Sequence, residues 1–113
     1  MTRRIQLEAE AIAELEDAAL WYDQQHPGLG ARFLAAVEET LDRLGRWPEA
    51  APLVDGLPIE LGVRRAAVRQ FPYRIAYLVL DETIRVLAIA HTRRAPGYWQ
   101  QRADGPRRDA AES

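Results

Sequence analysis

Phe71-Pro72-Tyr73-Arg74-Ile75-Ala76-Tyr77-Leu78-Val79-Leu80-Asp81-Glu82-Thr83-Ile84-Arg85-Val86-Leu87-Ala88-Ile89-Ala90-His91 decides the fold. Period two puts Tyr73, Ile75, Tyr77 and Val79 on one face of a strand and Arg74, Ala76, Leu78 and Leu80 on the other. Both faces are largely apolar, the pattern of a central strand covered by helices on one side. Asp81-Glu82-Thr83 supplies a turn, and the β-branched run from Ile84 to His91 reads as a buried strand. Upstream, Leu61 to Phe71 is a third strand candidate. The short connections make the three an antiparallel meander.

The pattern changes toward the N-terminus. Arg3 to Leu7 alternates loosely and reads as a short strand. Ile12, Leu15, Ala19 and Tyr22 then follow helical spacing, with Glu10, Glu14, Asp17 and Asp23 assigned to a solvated face. His26-Pro27-Gly28 stops this helix, which makes His26 a turn residue. A second helix, about Leu29 to Gly45, carries Phe33, Val37, Leu41 and Leu44 on one stripe and ends before Trp47-Pro48. The short link makes the two helices an antiparallel hairpin. Pro48 to Pro58, with three prolines and a glycine, is a loop. The expected architecture is α+β: a short strand and a helical hairpin packed on an antiparallel sheet. One domain spans 1–102, and 103–113 has no apolar periodicity and reads as a disordered tail.

Composition narrows the function classes. The 113 residues allow one modest core. The absence of cysteine excludes disulfide frameworks, thiolate zinc sites and cysteine nucleophiles. The charged N-terminus has no apolar run of signal-peptide length, so a cytoplasmic location is expected. Charge is uneven: residues 1–56 hold 5 arginines and 11 acids, net −6, whereas residues 57–113 hold 10 arginines and 6 acids, net +4. All 15 basic residues are arginine, a bias that either GC-rich codon usage or planar recognition of phosphate or carboxylate would produce.

The chemistry available lies in the basic half. Period two places Arg65, Ala67 and Arg69 on one strand face, with Arg64 opposite and Arg74 beyond the Phe71-Pro72 corner. Arginines are costly to bury unpaired, and the group fits phosphate oxygens or partner carboxylates, salt bridges to the acidic helices, or a solvated sheet face. Arg93, Arg94 and Arg102 follow the last strand and would flank the same open face. Tyr73, Tyr98 and Trp99 are candidates to stack on bases, while Tyr77 is expected in the core. His91 stands where the last strand opens into the basic segment, positioned to exchange a proton near neutral pH or simply to end the strand. No Gly-rich phosphate loop, His-Glu metal spacing or nucleophile elbow occurs in the chain.

Arg46-Trp47-Pro48, Val63-Arg64-Arg65, the segment Phe71 to Tyr77, and Ala90-His91-Thr92-Arg93-Arg94, taken in this order, resemble the RelE/ParE toxin superfamily. The resemblance runs over about residues 3–102. It implies a toxin neutralised by a cognate antitoxin whose C-terminal segment covers the basic surface, with no cofactor, metal or membrane. It also implies one of two targets: mRNA on the ribosome, cleaved without a metal by RelE-like members, or DNA gyrase, poisoned by ParE-like members. On the nuclease pattern Arg65, Arg74, His91, Arg94 and Tyr98 would be catalytic. A basic residue is expected there at Ala67, however, and Tyr98 falls closer to Arg94 than the pattern has it. The His91-to-Arg94 ending looks more like the ParE side, which is the branch favoured. Arg64, Arg65, Arg69, Arg74, Arg93, Arg94 and Trp99 are then expected to bind the partner. A member that binds a partner without toxicity is the third alternative.

Overall fold

A computed structural model describes residues 2–94, 96–100, 102 and 103. Strand β1 (Arg4–Leu7) leads directly into helix α1 (Ala9–Gln25), which is followed by α2 (Leu29–Arg46). The antiparallel strands β2 (Arg64–Ala67), β3 (Tyr73–Val79) and β4 (Thr83–His91) come next. The sheet order is β1-β4-β3-β2, with β1 parallel to β4 and the other pairs antiparallel. The hairpin carries the chain from β1 at one edge of the sheet to β2 at the other, and with β2 and β3 makes up the long connection between the parallel neighbours β1 and β4.

The turn of that hairpin is built by one carboxylate. Asp23 accepts from the amides of Gly28 at 3.1 Å and Gly30 at 2.9 Å, satisfying donors at the start of α2. Gly28 has φ of 89°, a left-handed conformation that costs glycine least. Gly30 lies against α1, where a Cβ would stand 2.4 Å from the Ala19 carbonyl oxygen.

The helices cover one face of the sheet. Phe33, Val37 and Leu44 meet Ile75, Tyr77, Ile84, Val86 and Ile89, and Tyr22, Phe33, Phe71 and Tyr73 interlock edge-on or tilted at centroid distances of 5.0–6.1 Å. The buried face of α1 is shifted from the expected stripe. Ala11, Ala18 and Tyr22 are buried, whereas Ile12 is 42% exposed. Small alanines let the helix settle close to the sheet, and this rotation brings Glu14 inward.

The strands also differ in extent from the sequence pattern. β2 is confined to Arg64–Ala67: Ile59–Leu61 forms a short 3-10 turn, and Gln70 takes a left-handed φ of 71°. The register between β3 and β4 shifts at Ala76/Tyr77, whose partners are Ala88 and Val86. Leu87 is the extra residue of this bulge, so Leu87 and Ala88 both join the second face.

That second face is covered, not open as expected. Val54, Val63, Ala76, Leu78, Leu87, Ala88, Trp99 and Ala103 form a core of their own. Ala103, the first residue of the segment taken as tail, is fully buried. Residues 104–113, to which the expected disorder also applied, lie outside the described residues. No helix among the described residues is long and apolar enough to cross a membrane.

Candidate functional site

The register places the arginines. Arg65 pairs with Ala76 and Ala67 with Arg74, so Arg65 and Arg74 share the second face. Arg94, just past β4, reaches the same corner, where the three guanidinium-bearing side chains, His91 and Thr92 line a small depression above Trp99. Arg65, Arg74 and Arg94 make no ion pair among the described residues. Burial first and the neighbouring Arg74 charge second pull the Arg65 proton affinity down, and Asp55 opposes them. An anion placed among these side chains relieves like-charge repulsion and receives planar donors, which is the chemistry of phosphate or carboxylate recognition.

Other arginines go elsewhere. Arg64 points to the helix-covered side, donating to the carbonyls of Ala51 at 2.6 Å and Glu49 at 3.2 Å. Arg69 does not share the Arg65 face as strand alternation suggested: β2 has ended, and Arg69 turns to Glu39 on α2 at 3.7 Å. Arg93 is exposed, and its backbone amide donates to His91 Nδ1 at 3.1 Å. That bond leaves the proton of a neutral ring on Nε2. The His91 ring packs edge-on against Tyr73, with centroids 5.2 Å apart. His26 is an exposed turn residue, and Tyr77 lies in the core with its hydroxyl donating to the Pro48 carbonyl at 2.7 Å.

Two aromatics differ from expectation. Trp99, read from sequence as an available surface ring, is 1% exposed and forms the floor of the depression. Tyr98 is half-buried: its hydroxyl donates to Glu14 at 2.7 Å and its ring faces the Arg94 guanidinium at 3.9 Å. Burial, then the hydrogen bond to Glu14 and its charge, push the Tyr98 phenol well above its ordinary range.

Acids taken for solvated surface are structural parts of this region. β1 pairs with only the first half of β4, so the rest of that edge needs other partners. Glu14 accepts from the Ile89 amide at 3.0 Å, and Arg102 donates to the Leu87 carbonyl at 3.0 Å and to Glu14 at 3.1 Å. Glu8 pairs with buried Arg85 at 3.2 Å, and Arg85 also donates to the Arg102 carbonyl. A second hollow of about 240 Å³ adjoins the first across His91 and Arg94, bounded by Asp17, Trp21 and Tyr73. Trp21, 53% exposed, was passed over in the sequence because it lies off the apolar stripe.

The chain thus lays a helical hairpin across a four-stranded mixed sheet and gathers Arg65, Arg74 and Arg94 at one corner of it. The chain is similar to the structure described as the chromosomal ParDE TA system from P. aeruginosa, with a TM-score of 0.68 and 18% identity over 80% of this chain and 96% of that one. It is also similar to an arginine-to-alanine double mutant of the E. coli toxin RelE in the free state, with a TM-score of 0.64 and 17% identity over 94% of this chain and 98% of that one. Among proteins of curated function none matches the chain in sequence. Residues 5–96 match the family of the ParE toxin of the type II toxin-antitoxin system, parDE, and the chain belongs to that family. It is a type II toxin of the RelE/ParE superfamily, and membership implies a cognate antitoxin.

Proposed function

We propose that this toxin acts by binding, as an inhibitor of DNA gyrase in the cytoplasm, with Arg65, Arg74 and Arg94 as its target contacts. The observation that carries this proposal is the state of Tyr98. Cleavage of RNA by its own 2′-hydroxyl needs one group to remove a proton and another to supply one. The Tyr98 hydroxyl is already donated to Glu14, and its pKa is pushed upward. Ala67 adds only a methyl beside Arg74. A cationic site in which neither Tyr98 nor residue 67 carries the proton, leaving His91 as the remaining group of that kind, is suited to holding an anion. In the same proposal, carboxylates of the antitoxin cover Arg65, Arg74, Arg93 and Arg94 and block the target.

One observation favours ribosome-dependent mRNA cleavage as a second reading: His91 lines the same depression as the three arginines, within a site suited to a phosphate. Controlled expression in a bacterial host separates the two. Filamentation with induction of the DNA-damage response is the expected result. Rapid translation arrest with mRNA cut inside ribosomes overturns it in favour of the nuclease, and unaffected growth points to a member that binds a partner without toxicity.

A further inference from the structure

Among the described residues Glu14 is the carboxylate that accepts from the most donors, and the three groups it accepts from belong to the C-terminal third. One oxygen accepts the Tyr98 hydroxyl at 2.7 Å; the other accepts the Ile89 amide at 3.0 Å and an Arg102 guanidinium nitrogen at 3.1 Å. Its side chain is 20% exposed, so water competes weakly for these bonds. Tyr98 is thereby tied to α1 at its hydroxyl, while Arg102 lies 5.2 Å from the same ring.

The ring so fixed is a platform. Arg94 is exposed, forms no ion pair among the described residues, and would be driven outward by the like charges of Arg65 and Arg74. Its guanidinium instead lies 3.9 Å from the centroid of Tyr98, at the wall between the two hollows. A cation over an aromatic face is held by the ring quadrupole, and its position follows the ring.

We propose that Glu14 is a positioning residue of the cationic site: by fixing Tyr98 it sets Arg94 beside Arg65 and Arg74. The inference rests on the depression being the working surface of the toxin, but not on which target it meets. A purely structural role, in which Glu14 only satisfies the free edge of β4, makes different predictions.

The test is Glu14→Gln in the full chain, a change that retains size but offers one acceptor oxygen where three donors converge. In the parent protein, with the Arg94 guanidinium carbon 3.9 Å from the Tyr98 centroid, the Arg94 Nε proton is expected to resonate upfield of that of exposed Arg93. In Glu14→Gln it moves toward the Arg93 position while the Arg65 and Arg74 signals hold. Potency in growth arrest falls by about fivefold, yet by less than about twofold when Glu14→Gln is made in an Arg94→Ala background, because both changes remove one contribution. Tyr98→Phe, which keeps the ring and removes the hydroxyl, gives the same pattern at smaller size and serves if Glu14→Gln fails to fold. An unmoved Arg94 proton, or potency losses that multiply in the double variant, overturns the inference. A moved proton with unchanged potency supports the positioning and overturns the functional reading of the depression.

Discussion

The two faces of the sheet are held by different physics. The helix-covered face is closed by interlocked apolar and aromatic side chains from two regular helices. The other is closed by irregular segments around Val54 and Trp99, fastened by Glu8–Arg85 and by Glu14 with Tyr98 and Arg102. The difference teaches where function has room. A face packed by periodic elements fixes the fold, and a face assembled from loops can leave a corner for unpaired cations.

Substitutions matched across the faces test this contrast. Phe33→Ala is expected to cost the most, about 4 kcal/mol in denaturant unfolding, because it removes the fully buried ring on which Tyr22, Phe71 and Tyr73 meet. Arg85→Ala should cost about 3 kcal/mol by stranding the half-buried Glu8 carboxylate and the Arg102 carbonyl. Its effect is also expected to be local, with hydrogen exchange rising at 98–103 and 85–89 more than in α2. Replacing Glu8 and Arg85 together by leucine should recover the part of the loss due to Glu8 and leave the part due to the Arg102 carbonyl; uniform exchange, or no recovery, would break the contrast. Gly30→Ala, which sets a methyl against the Ala19 carbonyl, should cost about 2 kcal/mol by parting the hairpin.

Each face also carries a tyrosine whose pKa is raised mainly by burial, Tyr77 on the helix side and Tyr98 on the other. A raised pKa favours the protonated phenol in the fold. Stability is therefore complete below about pH 10 and falls as pH rises through the folded-state values. Tyr98→Phe should flatten the alkaline limb of a stability-pH curve, and an unchanged limb would show that Tyr98 is not buried as described. Smallest of all, Arg69→Ala should change stability by less than about 0.5 kcal/mol, since its pair with Glu39 is exposed on both sides.

Much of the helix-covered face was legible because Phe33, Val37 and Leu44 repeat at helical spacing and Ile75 and Tyr77 at strand spacing. The shift of α1 was not, since Ala11 and Ala18 carry little hydrophobic signal although both are buried in the core. That shift hid Glu14, which falls on the Ala11-Ala18-Tyr22 side and looked like surface when Ile12 was taken as core. Arg65, Arg74 and Arg94 were readable as a group from the family resemblance, since strand parity alone set Arg65 beside Arg69. Arg69 was not, because its departure depends on the left-handed turn at Gln70. Trp99 sits in a segment with no regular period, and its burial follows only from long-range packing against Leu87 and Ala88 through the bulge of β4.

On the proposed function, the Arg65, Arg74 and Arg94 corner binds gyrase without chemistry. Purified toxin added to DNA gyrase with relaxed plasmid, and in parallel to translating ribosomes, tests it most directly. The expected result is that supercoiling is inhibited, that Arg65→Ala, Arg74→Ala and Arg94→Ala each relieve the inhibition, and that ribosome-bound mRNA stays intact. Uninhibited supercoiling together with mRNA cut on the ribosome would contradict it.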